Sequence, residues 1–335
     1  MILQRLRRKI LIPQTHSQRA AQHFITQRAF LPVSGGIKRN FKEPIVGHAR
    51  ITNPVAAHVT LFDSGGATDA FELRAVNLNL IGLAAVLGSL IVFKLVYDRL
   101  EKRPVRVRLL AAFVFSIPGA PALLAAVYYL HVLPERSWFY EFRSLPGFEC
   151  FSLFLGAAAG AFVTLLPRLS LPFALAGLLT VTAVPYLKPI LAPLPADALS
   201  SKWENDVCLQ STASTCGPAS VATILHKFGL NVSEQEVATQ AHTYAGGTEA
   251  WYLARFVRAK GMKAKFDFRP GMPEDLVFPA MVGIRLGSAG HFIAVLERDG
   301  DMLTVADPLS GKEIVTLEKL RKRCELTGFH LSISR

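Results

Sequence analysis

The sequence is poor in charged residues and in cysteine, and each shortage excludes a class of protein. Asp, Glu, Lys and Arg make up 19% of the 335 residues, against about 25% in a typical soluble domain. Its four cysteines are too few for a disulfide scaffold at this length, and none forms the C-x-x-C pair of structural zinc sites. The phosphate-binding pattern G-x-x-x-x-G-K-[ST] does not occur either. The sequence therefore predicts no cofactor.

Apolar residues are abundant instead, at 51% of the chain with a mean hydropathy of +0.32. This balance is typical of a membrane protein. The net charge of +12 is uneven, because residues 196–335 contain 16 basic and 16 acidic side chains and residues 1–195 hold the whole excess. Since the basic groups lie in a tail and beside apolar segments rather than on a folded face, we expect no nucleic-acid partner.

Residues 1–75 form a basic tail with eleven Lys or Arg and four acidic residues. The tail has no sustained period of 3.6 or 2, so it is predicted to be disordered. Two alternatives remain open at this point. The tail has the acid-poor, Arg-rich composition of an organellar transit peptide, or the true start lies near Val76 and the tail is not made.

Residues 76–195 contain four apolar stretches close to the roughly 20 residues that a membrane crossing needs. These stretches are apolar on every side, unlike the amphipathic helices of soluble proteins. The third contains the small residues 156–160, which suit close helix packing. We predict four transmembrane helices and the lipid bilayer as a partner. The stretches cover about residues 76–96, 109–133, 148–166 and 169–187.

The distribution of Lys and Arg predicts the orientation of these helices. Basic residues near helix ends favour the cytoplasmic side. The first loop is the most basic, the third carries Arg168, and the second has its two Arg residues balanced by two Glu residues. Loops one and three are therefore predicted to be cytoplasmic, and the C-terminal domain extracytoplasmic. The basic residues of the first loop are Arg99, Lys102, Arg103, Arg106 and Arg108.

Residues 196–335 have the size of one domain, and a helix is predicted from Cys216 onward. Its apolar residues are spaced i, i+3, i+4 and i+7, Pro218 suits the first turn, and Gly229 suits the stop. Cys216 then lies at the helix N-terminus, where unpaired N–H groups and the helix dipole favour a thiolate. A capping box at Ser233 opens a second helix, and a third is predicted between Thr248 and Gly261.

Strand patterns follow the helices, and one hairpin brings two polar residues together. A three-residue loop at 298–300 would place His291 opposite Asp307 on one face of the sheet, about 5 Å apart. A two-residue turn would instead place them on opposite faces. The predicted strands are Lys263–Phe268, Ala280–Leu286, His291–Glu297, Met302–Ala306 and Phe329–Ile333.

These residues form a candidate catalytic set. Cys216 is the candidate nucleophile, His291 the candidate base and Asp307 the residue that orients it. Gln210, six residues before Cys216, is placed to donate a hydrogen bond to a developing oxyanion beside the Cys216 backbone N–H. Cys208 and Cys324 are predicted to fill the core. The alternatives for Cys208 outside the cytoplasm are a disulfide with Cys324 or with Cys216.

Four segments together resemble the bacteriocin-processing, double-glycine-specific cysteine peptidase family. The resemblance covers about residues 203–325, and the segments are residues 210–219, 246–248, 290–295 and 305–308. It implies a papain-like fold, cleavage of leader peptides after two small residues, and the same roles for Cys216, His291, Asp307 and Gln210. The chain departs from the family at Thr215, where an Asp is common. We also expect the domain to come last in the chain, with no ATPase behind it, whereas family members fused to exporters usually carry it first.

The sequence thus predicts an α+β papain-like cysteine peptidase domain behind a four-span membrane domain. The expected activity is cleavage of peptides or leader sequences after small residues of the Gly-Gly type. The expected partners are a peptide or protein substrate and the bilayer, with a separate exporter as a candidate. The alternatives are a non-catalytic peptide-binding or sensing module and a regulatory part of a membrane transport system.

Overall fold

The computed structural model describes residues 78–129, 133–166 and 170–335. Apolar helices come first, and an α+β domain follows. Some predictions lie outside the described residues. They concern the tail 1–75, the start of the first apolar stretch at 76–77, residues 130–132 of the second stretch, Arg168, and the start of the fourth stretch at Leu169.

Within the described residues, three of the apolar helices are long enough to cross a membrane, and a bent helix pair makes a fourth crossing if it counts as one span. In each of the three long helices, only between 17% and 28% of the apolar segment is buried. Many of their large apolar side chains are therefore exposed on the outside of the helices. The long helices are α1 (Leu80–Leu100), α2 (Val105–Tyr129) and α5 (Leu171–Leu191), and the bent pair contains α3 (Ser137–Arg143) and α4 (Phe151–Val163).

The third apolar stretch differs from its prediction as one helix over residues 148–166. A 3-10 turn at Phe148–Cys150 leads into α4, which is 13 residues long. The chain bends by 91° between α3 and this segment. Gly147, at φ 78°, supplies the left-handed conformation that the bend requires.

Helix α4 packs closely on α1 through its small residues. A methyl group on Gly156 would overlap the carbonyl oxygen of Ser89, and one on Gly160 would overlap that of Phe93. Glycine at both positions therefore allows the two backbones to approach, as the small-residue run predicts.

The C-terminal domain contains helices and an antiparallel sheet, as predicted. A small sheet pairs β1 and β2, and a six-stranded antiparallel sheet has the order β3-β8-β4-β5-β6-β7. The last strand, β8, therefore lies inside the sheet. The elements are β1 (Lys202–Glu204), β2 (Val207–Leu209), α6 (Cys216–Lys227), α7 (Glu234–Gln240), α8 (Ala250–Ala259), β3 (Lys263–Phe268), β4 (Ala280–Leu286), β5 (Ala289–Asp299), β6 (Met302–Asp307), β7 (Gly311–Thr316), α9 (Leu317–Arg323) and β8 (Glu325–Ser334).

The sheet separates two apolar cores, because alternate side chains of each strand face opposite sides. In β5, Ala294 belongs to the core shared with α6 and α8, whereas Ile293 and Val295 belong to the core beneath α9. Cys208 lies in the first core and Cys324 in the second, and both are buried and free.

Helix α3 joins the apolar helices to the domain at the edge strand β3. The Glu141 carboxylate accepts a hydrogen bond from the Phe266 backbone N–H at 2.6 Å and forms an ion pair with Arg258. Tyr140 packs between the Trp251 and Phe268 rings. The loop between α2 and α4 thus lies on the same side of the apolar helices as the C-terminal domain.

Candidate active site

The buried face of α6 fixes Cys216 at the start of the helix. Val221, Ile224 and Leu225 are fully buried, so the helix cannot rotate without exposing them. The residue before Cys216, Thr215, makes no side-chain cap; its hydroxyl instead contacts the backbone N–H and carbonyl of Thr212. The first-turn N–H groups of α6 therefore remain available to a negatively charged group near the partly exposed Cys216.

His291 and Asp307 form a close pair. His291 Nε2 lies 2.7 Å from Asp307 Oδ1, and the two side chains are only 5% and 14% exposed. Asp307 also accepts hydrogen bonds from the Leu309 backbone N–H at 2.9 Å and from the Ser310 side chain. Because Nε2 faces Asp307, the other ring nitrogen, Nδ1, is left for Cys216.

The protonation of this pair follows from its surroundings. Burial alone would lower the pKa of His291, but hydrogen bonds with Asp307 and Cys216 outweigh it and raise that pKa to about 9. Burial would raise the pKa of Asp307, but its hydrogen bonds with His291 and Leu309 lower it. At neutral pH the site therefore favours an imidazolium beside an ionised Asp307.

The hairpin that carries the pair differs from the predicted one. Asp299 pairs with Met302, so the turn has two residues rather than three. That turn alone would place His291 and Asp307 on opposite faces. A register shift between Val295 and Glu297 absorbs one extra residue, and beyond it Val295 pairs with Val305. The bulge restores the shared face, but in this register His291 and Asp307 lie diagonally across the two strands rather than directly opposite each other. The predicted contact forms although the predicted loop and register are wrong.

Gln210 is held next to the strand end that carries Asp307 by a backbone hydrogen bond. Its N–H donates to the carbonyl of Pro308, the residue after Asp307, at 2.9 Å. Its side-chain Nε2 donates to the Thr212 carbonyl at 2.8 Å, and its buried Oε1 has no partner among the described residues. A carboxamide has two N–H donors, so one of them remains for a ligand.

Sequence reasoning missed the residue that holds the Gln210 loop. The fully buried Glu234 accepts a hydrogen bond from the Ser211 backbone N–H at 2.8 Å and another from the Ser211 hydroxyl. The sequence predicts a capping box at Ser233, and the Ser233 hydroxyl does accept a hydrogen bond from the Glu236 N–H at 3.0 Å. In the sequence, Glu234 does not differ from other acidic residues in the first turn of a helix. Only its burial in the fold distinguishes it.

The C-terminal domain matches a known family. Residues 204–334 match the model of the peptidase C39 family. The chain is 30% identical over 122 residues to an uncharacterized protein of Methanothermobacter thermautotrophicus, covering 36% of this chain and 82% of the relative. It is 35% identical over 116 residues to a protein of Methanothermobacter marburgensis, covering 35% and 80%. The predicted resemblance and the papain-like α+β fold are confirmed.

A further relative and two solved structures are named as peptidases. The chain is 29% identical over 126 residues to "Probable functional amyloid protease FapD" of Pseudomonas aeruginosa, covering 35% of this chain and 56% of the relative. It is similar to the peptidase domain of Streptococcus ComA, with a TM-score of 0.35, 21% identity and coverage of 38% and 96%. It is also similar to a double glycine motif protease from an AMS/PCAT transporter, solved with the leader peptide, with a TM-score of 0.34, 25% identity and coverage of 40% and 92%.

Proposed function

We propose that this protein is a membrane-anchored cysteine peptidase that cleaves leader peptides after small residues. The proposal starts from the fact that residues 204–334 belong to the peptidase C39 family. The observation that carries the proposal is the 2.7 Å contact between His291 and Asp307, with Cys216 as the second hydrogen-bond partner of His291. A nucleophile, a base and an orienting carboxylate are the groups that acyl transfer requires.

In the proposed acylation step, the Cys216 thiolate attacks the carbonyl carbon of the scissile bond. The C–N bond then breaks, and the His291 imidazolium donates its proton to the leaving amine. The products are a Cys216 thioester and a free amine terminus. Asp307 remains ionised and holds the imidazole in the required orientation.

In the proposed deacylation step, neutral His291 takes a proton from water. The hydroxide attacks the thioester, the C–S bond breaks, and Cys216 leaves as a thiolate beside the imidazolium. In both steps the carbonyl oxygen becomes negatively charged. The Cys216 backbone N–H and the second N–H of the Gln210 carboxamide are the donors proposed for it.

The proposed substrate has Gly-Gly or a similar small pair before the scissile bond. This specificity comes from the family resemblance of the segments around Cys216, Gly246-Gly247 and His291. A separate exporter that receives the cleaved peptide is a candidate partner.

The proposed membrane arrangement has four crossings within residues 76–195, with residues 1–75 before them and the peptidase domain 196–335 outside the cytoplasm. Helix α4 and the 3-10 turn before it supply the third crossing, because the 91° bend turns α3 away from them toward the C-terminal domain. Two observations support the arrangement. The loop after α1 carries the basic cluster that favours the cytoplasm. The loop after α2 contacts the peptidase domain through Glu141 and Arg258, so the two share one side of the membrane.

The test is peptide cleavage by the purified full chain in detergent. A library of short peptides would be presented to the parent, to Cys216→Ala and to Gln210→Ala, with Gln240→Ala as an exposed control on α7. We expect cleavage after Gly-Gly or Gly-Ala by the parent and the control, none by Cys216→Ala, and a kcat lowered by about 10²-fold in Gln210→Ala.

A thiol-reactive probe makes the negative outcome informative. Iodoacetamide should alkylate Cys216 in the parent and in Gln210→Ala, since neither lacks His291 or Asp307. Alkylation without any cleavage of the library would overturn the peptidase proposal in favour of a peptide-binding module.

A further inference from the structure

One loop, residues 243–249, connects the active site with the apolar helices. Its tip is a tight turn in which Tyr244 and Gly247 exchange two backbone hydrogen bonds, at 3.0 and 2.9 Å. Gly247 has a φ of 124°, and a methyl group on Gly246 would overlap the Tyr244 ring. The two glycines are therefore required by the conformation of the loop.

The inner side of the 243–249 loop borders the catalytic helix. The Ala245 carbonyl accepts a hydrogen bond at 2.6 Å from the hydroxyl of Ser214, two residues before Cys216. A side chain at Gly217, the residue after Cys216, would come within 3.9 Å of Thr248. The loop therefore forms one wall of the space in front of Cys216.

The outer side of the same loop is attached to the end of the last transmembrane helix, α5. The Ala245 backbone N–H donates to the Ala192 carbonyl at 2.9 Å, and Tyr244 pairs with Pro193 in an antiparallel bridge. The chain that leaves α5 thus runs along the loop as an extended segment.

An ion pair fixes this attachment. Lys188 on α5 lies 2.7 Å from the Glu249 carboxylate, and their side chains are 28% and 14% exposed. The Lys188 ammonium also lies 4.2 Å from the centre of the Tyr129 ring on α2 and 5.3 Å from that of Tyr244. Removing one member of this half-buried pair leaves the other charge without its partner, so the pair favours one position of the loop relative to α5.

We propose that Lys188 and Glu249 are positioning residues through which the transmembrane helices hold the 243–249 wall beside Cys216 and so set peptide specificity. This inference rests on the proposed peptidase function. It also locates cleavage: because the wall is attached to the last turn of α5, the substrate is cut at the bilayer surface.

The experiment uses the full chain in lipid nanodiscs. The variants are Lys188→Met, Glu249→Gln and the charge exchange Lys188→Glu/Glu249→Lys. The matched control is Lys260→Met, which breaks the pair of Lys260 with Glu236 (2.5 Å, 30% and 33% exposed) at the opposite end of α8. The measurements are kcat and KM for a Gly-Gly peptide, and the alkylation rate of Cys216 by iodoacetamide.

The two single variants should raise KM roughly tenfold, because a wall displaced by a fraction of an ångström binds the peptide poorly. Their alkylation rates should stay within about twofold of the parent, since the small reagent needs only Cys216 and His291. The charge exchange should recover part of the loss, and Lys260→Met should match the parent. An unchanged KM in Lys188→Met would overturn the proposal.

A second measurement separates this proposal from the peptidase function. If even the parent cuts no peptide, amide hydrogen exchange still reports on the attachment. The Ala245 N–H should exchange at least about tenfold faster in Lys188→Met than in Lys260→Met. Equal protection in the two variants would show that the ion pair does not hold the loop.

Discussion

At the scale of single residues, the protonation of His291 depends on its two partners. Hydrogen bonds with Asp307 and Cys216 raise the pKa of its imidazole to about 9 against the effect of burial. A raised pKa stabilises the fold at pH values below the ordinary value of 6.5, and this contribution is lost as the pH rises through 9. The pKa of Asp307 is lowered, so its contribution to stability has the opposite pH dependence. This contribution is present above pH 3.8 and is lost as the pH falls below that value.

The replacement Asp307→Asn tests this dependence. Near pH 6.5 we expect the variant to have a lower unfolding temperature than the parent. The corresponding loss in the free energy of unfolding is at most about 3 kcal/mol, and it shrinks as the pH approaches 9. Tryptophan fluorescence during thermal unfolding, repeated across this pH range, measures the difference. The exposed Asp299→Asn is the control. A gap between parent and Asp307→Asn that stays constant with pH would contradict the assignment.

The candidate site was predictable where its chemistry is local. Cys216 begins the predicted helix because the apolar spacing of α6 fixes the helix and its start together. The His291–Asp307 contact was predicted for the wrong reason, since the bulge before Glu297 offsets the two-residue turn. A bulge cannot be recognised from the sequence of an apolar strand, because one extra apolar residue does not interrupt a run of apolar residues. Glu234 was missed because burial is a property of the fold, not of the residue.

At the scale of elements, the sequence analysis succeeded for strands whose pattern of apolar residues is clear. The bounds of β3 and β4 match their predictions, because β3 begins with alternating exposed and buried residues and β4 begins with a run of buried ones. The edge strand β7 was missed, since only Gly311 and Val315 are buried in it. Helix α9 was missed because its seven residues have too few buried positions to show a period. The bend before α4 was missed because hydropathy carries no information on the angle between two successive helices.

Helix α3 provides a prediction at this scale. The change Glu141→Ala removes the acceptor of the Phe266 N–H and the partner of Arg258. We expect the free energy of unfolding of the domain to fall by about 1–3 kcal/mol, because a buried donor and a cation lose their partner. Chemical denaturation of the full chain, followed by fluorescence, provides the measurement.

The control for Glu141→Ala is Glu318→Ala on α9. Glu318 also forms an ion pair, with Lys322, but both side chains are more than 70% exposed. Exposed pairs contribute little to stability, so this variant should unfold like the parent. Equal losses in the two variants would show that Glu141 acts only through its charge at the surface.

At the scale of the whole molecule, the arrangement across the membrane is open to a direct test. Intact cells expressing the protein would carry a protease-cleavable tag either after Arg335 or between Lys102 and Arg103. External protease should remove the C-terminal tag and leave the loop tag intact, because the basic cluster favours the cytoplasm. Permeabilised cells, in which both tags should be cut, provide the control. If the C-terminal tag were protected in intact cells, the orientation would be the opposite of the one proposed.

The order of the large sheet has a consequence for how the protein matures. Strand β8 comes last in the chain, yet it pairs with β3 on one side and β4 on the other. During translation the apolar helices leave the ribosome before the strand that joins the two parts of the sheet, and so do Cys216 and His291. The sheet that carries His291 and Asp307 is therefore expected to close only after β8 has been made. A chain truncated before Glu325 would lack this inner strand.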